Sequence, residues 1–375
     1  GRSELQAYYD KQQRDQWVLE ESTTTYDINY NYQLPRLGRH EIIVGGGYRY
    51  IDNELPDGDI SIGRLRLFTP EQRDDELFSF FAQDEIEVLN DTLWLTLRIK
   101  LEDNDYSGFE TQPNIRLRWA LSEDHMLWGA VSKAIRTPSR AEHDSFVVLD
   151  IVNTGPPPLA LILQANKDFD SEELIAWELG YRFIGSDTLS FDLSLFFNDY
   201  DDLRSAESLG FISTPLTAPP AVGALITTTN GLSAKSYGLE MSIDWRPSEQ
   251  WQINLSYAYI DIRMHIKSSS NDAFPNSTEG LSPENQFTVS SNYQIKNNLQ
   301  FNLIGRYVDE LPTNNTDAYF ELDAGLEWQL KPQLTLSLVG RNLIDAEHRE
   351  TSDTFFSTVQ TQVQREFYLK VNWQL

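Results

Sequence analysis

The sequence predicts an all-β fold, a transmembrane antiparallel up-and-down β-barrel, and three observations indicate it. Apolar and polar residues alternate over segments of about ten residues along nearly the whole chain, as in strands with one face toward lipid and one toward a wet lumen. Tight turns alternate with long connections. Aromatic residues recur on the apolar faces near the strand ends, where the headgroup region of a membrane favours them.

The C-terminal segment, residues 367–375 (FYLKVNWQL), shows the alternation without a break. Successive side chains of a strand point to opposite faces, so this segment has one apolar and one polar face. The apolar face carries Phe367, Leu369, Val371, Trp373 and Leu375. The chain therefore ends inside a strand.

Earlier segments alternate in the same way and mostly pair into hairpins. The clearest are 93–102, 189–198, 237–245, 251–259, 287–295, 299–307, 320–330 and 334–338. Turns of about three to five residues join the hairpins at one end. Long connections at the other end carry most of the Pro, Gly, Ser, Asn and Asp, and they are 137–171, 203–230, 262–283, 309–317 and 343–362. This asymmetry matches short periplasmic turns and long extracellular loops, and the scheme gives about sixteen strands.

Two segments fit the scheme less simply. Residues 78–88 place Asp84 on the lipid face, where a charge costs roughly 2 to 4 kcal/mol at the midplane and little near an interface. We therefore expect Asp84 to lie close to a rim. In residues 127–135 either register is compatible with the pattern.

Composition excludes several classes of protein. No apolar run reaches the ~18 residues that a transmembrane helix needs, and the net charge of −27 argues against nucleic-acid binding. The absence of Cys excludes disulfides and thiolate metal sites, and the five His show no metal-ligand spacing. A soluble β-sandwich or propeller is the alternative fold, but polar inner faces would leave it little to bury. The chain opens at Gly1 without an initiator Met or a leader, so we expect that processing or truncation removed what came before.

Several short sequence motifs occur along the chain, and their order is informative. Residues 127–144 (LWGAVSKAIRTPSRAEHD) run from a strand into a loop through Arg, a small residue, Pro and Ser. Residues 165–183 (ANKDFDSEELIAWELGYRF) follow, with an Asn-containing turn and a strand that ends in Glu-Leu-Gly-Tyr-Arg. Further motifs are 197–204 (FNDYDDLR), 236–240 (SYGLE), 339–346 (VGRNLIDA) and the strand from Arg365. In this order the chain resembles the TonB-dependent outer-membrane receptors, although the usual Pro residues near Asn166 are missing.

The resemblance covers essentially the entire chain but only the C-terminal part of the family's architecture. It implies that residues 1–375 are a partial receptor barrel, with about 16 strands of an expected ~22 and with the N-terminal plug and first barrel strands missing. The terminal Leu375 departs from the Phe or Trp that usually ends such proteins. We expect that residues 1–375 expressed alone do not form a stable monomeric barrel, because an open sheet edge is not tolerated in lipid.

The resemblance implies active uptake across the bacterial outer membrane. The expected ligand is a scarce, small-molecule metal chelate, most of all a ferric siderophore, with cobalamin, haem or a glycan as alternatives. The expected partners are the TonB-ExbB-ExbD energy-coupling complex, the barrel-assembly machinery, the lipid bilayer and lipopolysaccharide, and no cofactor is implied. A passive sixteen-stranded porin is the rival class. No catalytic motif supports an enzyme.

Candidate ligand-binding residues lie in the lumen or in the loops near the outer rim, because a ligand site needs a few convergent polar groups. They are Arg136, Arg140, His143, Asp199, Tyr200, Arg204, Arg306, Asp309 and Arg341.

Other interpretations of these residues remain open. Arg136 and Arg341 would alternatively pair with acidic residues of the lumen wall or the plug. Asp199, Asp201 and Asp202 would hold calcium or form a solvated acidic rim. The apolar loops 146–163 and 211–226 would bind an organic ligand or a protein partner, or pack on each other.

Overall fold

The computed structural model describes residues 1–16, 19–56, 66–152, 157–214, 221–272, 279–351 and 361–374. These residues are almost entirely β-strand, with one short helix, α1 (Arg140–His143), and one 3-10 turn (Pro312–Asn314). None of the helices in this part of the chain is long and apolar enough to cross a membrane. The strands are β1 (Arg2–Gln16), β2 (Leu19–Gln33), β3 (His40–Glu54), β4 (Arg66–Phe68), β5 (Gln72–Leu89), β6 (Leu93–Asn104), β7 (Gly108–Ala120), β8 (His125–Arg136), β9 (Ser145–Val152), β10 (Leu159–Gln164), β11 (Glu172–Ser186), β12 (Leu189–Thr214), β13 (Ala221–Ser248), β14 (Trp251–Ile266), β15 (Asn285–Lys296), β16 (Leu299–Val308), β17 (Tyr319–Lys331), β18 (Leu334–Arg341), β19 (Glu347–His348), β20 (Val363–Gln364) and β21 (Glu366–Trp373).

The main sheet is antiparallel except where β10 pairs with β13, and its long strands run up and down in chain order, which confirms the predicted fold class. It contains 19 strands. Of these, β4, β9 and β10 belong to the connections at the outer end, and the remaining sixteen form the wall. Each wall strand pairs with the next wall strand along the chain, from β1 with β2 to β18 with β21. The long connections that precede β11 contain the three additional strands.

Cross-strand register fixes which side chains face outward. Leu195 of β12 lies opposite Leu179 of β11 and Leu239 of β13, and the exposed fractions of Leu179 and Leu195 are 55% and 41%. Their sequence neighbours Gly180 and Ser194 pair on the opposite face. An apolar surface that stays exposed around a whole sheet suits lipid rather than water. The outer face of the wall is therefore its membrane face.

The same register settles the segment 127–135. Val131 lies opposite the outward-facing Trp177, so the odd-numbered side chains of β8 face lipid and the even-numbered ones face the lumen. Trp128 accordingly lies on the lumen face against Gly180, where a Cβ atom would overlap the indole ring.

Asp84 lies on the outer face of β5, close to the short turn that follows Leu89. Its carboxylate is 2.7 Å from Nδ1 of His40, the first residue of β3. Asp84 therefore lies near the end of its strand beside a polar partner, which agrees with its expected position near a rim.

The prediction that residues 203–230 are a loop is wrong. Strand β12 continues to Thr214 and β13 begins at Ala221, so the two strands extend as a hairpin beyond the wall. Register shifts interrupt the pairing between Tyr200 and Leu203, Leu203 and Ser205, and Ser208 and Gly210. Such bulges break strict alternation, which is why the periodicity did not reveal the strands. The connection 137–171 likewise contains α1, β9 and β10.

The apolar loop segments pack against each other. Strand β10 pairs with the start of β13 in parallel, with Ile162 opposite Leu225. Val148, Ala160, Ile162 and Leu225 form a buried cluster. Among the alternatives for segments 146–163 and 211–226, mutual packing is the one that the described residues display. Residues 153–156 and 215–220 of these segments lie outside the described part of the chain.

The sheet has two edges. Strand β1 pairs with β2 and strand β21 pairs with β18, and within the described residues no pairing joins β1 to β21. All side chains of β21 are exposed. The described residues thus form one continuous wall whose marginal strands, β1 and β21, each pair on one side only.

Candidate ligand-binding site

A charged cluster at the outer end of β8 holds the short helix α1. Ser139 caps the helix, and the Glu142 carboxylate accepts hydrogen bonds from the Ser139 backbone N–H at 2.9 Å and from its hydroxyl at 3.1 Å. Arg136 donates to both oxygens of Glu142, at 2.9 and 3.1 Å. It also donates to Glu172 at 2.5 Å. Arg204 from β12 donates to Glu142 at 3.1 Å. The loop is therefore fastened to two wall strands through one buried carboxylate.

The electrostatics of the cluster favour ionised carboxylates. Burial alone would raise the pKa of Glu142, but hydrogen bonds from Arg136 and Ser139 outweigh it and hold that pKa below its ordinary value. Burial likewise opposes ionisation of Asp144, yet hydrogen bonds from His143 and Arg73 lower the pKa of its carboxyl. Both groups carry negative charge at neutral pH and bind the cations around them.

Arg140 and His143 lie inside this network. Arg140 is 8% exposed, and its guanidinium donates to the side-chain and backbone oxygens of Asn53 at 2.7 and 3.1 Å and to the Glu71 carbonyl at 3.1 Å. Nδ1 of His143 lies 3.0 Å from Asp144. Arg140 therefore attaches α1 to β3 and to the segment before β5, whereas Nδ1 of His143 lies 3.1 Å from the Arg73 guanidinium of β5.

The residues predicted at the outer end of β12 separate into two faces. By alternation, Asp199 lies outward, opposite Lys235 of β13, whereas Tyr200 lies on the lumen face, where its hydroxyl accepts from Asn198 at 3.3 Å. The ammonium of Lys267 lies 2.6 Å from both Asp201 and Asp202. The ammonium of Lys267 thus lies between these two carboxylates, where the calcium interpretation would place the metal ion.

The candidates Arg306, Arg341 and Asp309 also divide between the lumen face and the outer face. Arg306 and Arg341 border a lumen cavity of about 400 Å³ with Glu321 and Asp323. Arg306 forms ion pairs with both of these carboxylates. The Arg341 guanidinium lies 5.6 Å from the centre of the Tyr368 ring. Asp309 instead comes directly after β16 and lies on the outer side of the sheet.

Asp309 is well supplied with donors on that outer face. Its carboxylate accepts hydrogen bonds from the Tyr307 hydroxyl at 2.5 Å and from the side-chain amide of Asn285 at 2.6 Å. These bonds connect the ends of β15 and β16. Asp309 is therefore engaged in joining two strands at the outer rim.

A basic stretch of the lumen wall was not among the predicted sites. Register places Arg98 and Lys100 of β6 on the same lumen face as Arg116 and Arg118 of β7, and all four border a cavity of about 500 Å³. Lys100 lies 2.6 Å from Glu102, and Arg118 lies 3.7 Å from Glu85. We call these four residues the basic lumen patch. The alternation of residues 93–102 already placed two of them on the polar face, but only pairing with β7 brings all four together.

Comparisons with known proteins agree with this architecture. The family model "TonB dependent receptor-like, beta-barrel" matches residues 2–343. A curated sequence described as a probable TonB-dependent siderophore receptor, PirA, of Acinetobacter baumannii is 26% identical over 161 residues, which are 42% of this chain and 19% of that protein.

Solved structures share the fold at low sequence identity. The siderophore receptor PirA from Pseudomonas aeruginosa superposes with a TM-score of 0.71 at 17% identity, over 99% of this chain and 60% of that one. A mutant of the ferric enterobactin receptor PfeA from the same organism, solved with enterobactin, gives a TM-score of 0.67 at 16% identity, over 94% and 55%. The chain thus spans less than two thirds of the length of each of these relatives. It belongs to the TonB-dependent receptor β-barrel family.

Proposed function

We propose that this chain is the barrel part of an outer-membrane receptor that actively imports an anionic ferric siderophore with energy from the TonB-ExbB-ExbD complex. The observation that carries the proposal is the basic lumen patch. The chain has a net charge of −27, yet Arg98, Lys100, Arg116 and Arg118 share one region of the lumen wall. A positively charged region inside a low-dielectric wall attracts anions and raises their local concentration.

The outer rim supplies a place for first contact. The side chains of Arg136 and Arg204 are 44% and 57% exposed and converge on Glu142, so each keeps donors available above the lumen. We propose that these two arginines, with Tyr200, meet the ligand first. Arg306 and Arg341 would contact it along the wall. In this proposal Arg140 and His143 hold helix α1 in position. Asp199 and Asp309 belong to the outer face, away from the lumen.

The comparisons support the choice of ligand class. The relatives named above include siderophore receptors and a receptor for ferric enterobactin, and a ferric catecholate of that kind is anionic. Bacterial outer-membrane localisation, assembly by the barrel-assembly machinery and contact of the outer rim with lipopolysaccharide follow from the same proposal. No step of it involves catalysis by this chain.

Uptake of radiolabelled iron tests the proposal. A strain that lacks the protein should lose uptake of ⁵⁵Fe bound to an anionic siderophore such as enterobactin, and the restored protein should recover it only while TonB is present. The double charge reversal R98E/R116E should lower uptake by about an order of magnitude through lost attraction of the anion. Lys235→Glu, which lies on the outer face, is the matched control and should leave uptake unchanged. Uptake that continues without TonB would instead favour a passive porin.

A further inference from the structure

We infer that Glu321, His348 and Glu350 form a binding site for a divalent first-row metal ion such as zinc, at the base of the last outer connection. One ligand atom from each residue lies within 4.8 Å of the other two. Glu321 belongs to β17, whereas His348 ends the two-residue strand β19 and Glu350 follows it. An imidazole nitrogen with two carboxylate oxygens is a donor set that suits zinc, manganese or ferrous iron.

The Nε2 atom of His348 points into this group and lacks a hydrogen-bond partner among the described residues. The side chain of His348 is 7% exposed. Glu350 Oε1 lies 3.7 Å from Nε2, beyond hydrogen-bond distance. A buried polar atom without a partner is costly. A metal ion between the imidazole and the carboxylates would satisfy it.

The ring of His348 is held firmly in this orientation. Tyr319 stacks on it with ring centres 4.2 Å apart and an angle of 16° between the planes. Strand β19 pairs with β20, which fixes the backbone, with His348 opposite Val363. A ligand whose rotamer is locked by packing loses little entropy when it binds a metal.

Asn342 lies beside the imidazole and would supply the supporting contact that a metal-bound histidine requires once its side-chain amide is turned over. Its side chain is fully buried, its Nδ2 lies 3.3 Å from Nδ1 of His348, and its Oδ1 has no hydrogen-bond partner among the described residues. Turning the amide over would give up the bond from Nδ2 to the Val363 carbonyl. It would let Oδ1 accept the Nδ1 proton and leave the Nε2 lone pair free for the metal.

The charges around the site also favour a cation. Glu321 is 6% exposed and shares Arg306 with Asp323. Glu350 has His348 as its only ion-pair contact within the described residues. Two carboxylates, Glu321 and Glu350, therefore lie beside the imidazole, and Glu321 shares its one guanidinium with Asp323. A bound metal would link the base of the last connection to the barrel wall beside the cavity that Arg306 and Arg341 line.

Titration of the native protein, purified in detergent from the membrane and freed of metal, tests this site with Zn²⁺ alone in a calorimeter. We expect saturable binding of one Zn²⁺ per chain at this site. Outer-shell partners alone are worth about 10- to 100-fold in metal affinity, so H348A and E350Q should each lose at least about 10-fold. Glu350 is exposed, which protects E350Q from a folding defect.

His265→Ala is the matched control, since His265 is exposed near the end of β14 and belongs to no such group of ligand atoms among the described residues. The H265A variant should bind Zn²⁺ with the affinity of the wild type. Absence of saturable binding in the wild type, or wild-type affinity in either H348A or E350Q, would overturn the site. The titration reads metal binding directly, so its outcome is independent of whether the protein imports siderophores.

Discussion

Arg136 and Glu142 form a two-pronged ion pair, with nitrogen to oxygen distances of 2.9 and 3.1 Å, between the last residue of β8 and the only α-helix in the described residues. Parallel bonds between a guanidinium and a carboxylate are stronger and more specific in geometry than a single contact. This pair fixes where the rim loop stands over the lumen. It also explains how a short polar helix persists outside the membrane.

Arg136→Ala should loosen the rim loop while the wall stays folded. Glu142, whose side chain is 3% exposed, would keep Arg204 as its remaining cation, and loss of a hydrogen-bonded charge partner costs about 1.5 to 3 kcal/mol. Hydrogen exchange at residues 140–145 should become faster by one to two orders of magnitude, as that free energy implies. Arg182→Ala removes a 2.5 Å ion pair with Asp192 elsewhere and should leave these amides unchanged. Unchanged exchange in R136A would contradict the anchoring role.

The rim loop should also loosen in acid. The pKa values of Glu142 and Asp144 lie below their ordinary values of 4.5 and 3.8, so their ionisation stabilises the folded loop above those values. That stabilisation is lost as the pH falls through the lowered pKa values of the folded state. Protease cleavage within residues 137–145, measured from pH 7 downward with an acid-tolerant protease, should stay slow until the pH is below about 4. Cleavage that accelerates between pH 7 and 5 would indicate a different titrating group.

Gly180→Ala should impair assembly of the wall. A Cβ atom at this position would overlap the Trp128 indole on the lumen face, and overpacking costs about 1 to 3 kcal/mol. Gly129→Ala is the matched control on the neighbouring strand, because its Cβ would meet its nearest atom at 3.4 Å, an ordinary contact. The fraction of protein that migrates as the folded form on an unheated gel should fall in G180A and remain at the wild-type level in G129A. Equal fractions would show that Trp128 moves aside freely.

Residues 1–375 expressed alone should fail to give a stable monomeric barrel. Strands β1 and β21 are not paired with each other in the described residues, and each unpaired backbone group in hydrocarbon costs several kcal/mol. The isolated chain should aggregate or remain unfolded in detergent, as size-exclusion chromatography would show. Soluble monomers whose migration changes on heating would contradict this expectation.

The sequence predicted the wall well because lipid and lumen impose a strict period of two. Segment 93–102 became β6 and segment 251–259 became the core of β14. Periodicity failed where neither solvent sets the pattern, as in the hairpin beyond Tyr200, whose strands are offset by bulges. It also assigned Asp199 and Asp309 to the candidate site without resolving their outward orientation.

Clusters formed by distant residues could not be predicted from spacing. His348 lies near Glu321 and Tyr319 of β17 only in the folded chain, and no local sequence motif indicates that proximity. Arg116 and Arg118 likewise join Arg98 only through the register of β6 with β7. Both clusters depend on which segments lie together in the folded protein. Alternation along a single segment does not indicate this.

The central claim is that adjacent side chains of one strand meet hydrocarbon and water. Because the chain has no Cys, single spin labels can be attached at L195C and S194C. Leu195 lies on the exposed apolar face and Ser194 borders a lumen cavity of about 350 Å³. In lipid vesicles, collisions with oxygen relative to a water-soluble nickel chelate should be clearly more frequent at position 195 than at position 194. Equal ratios at the two positions would contradict the transmembrane barrel.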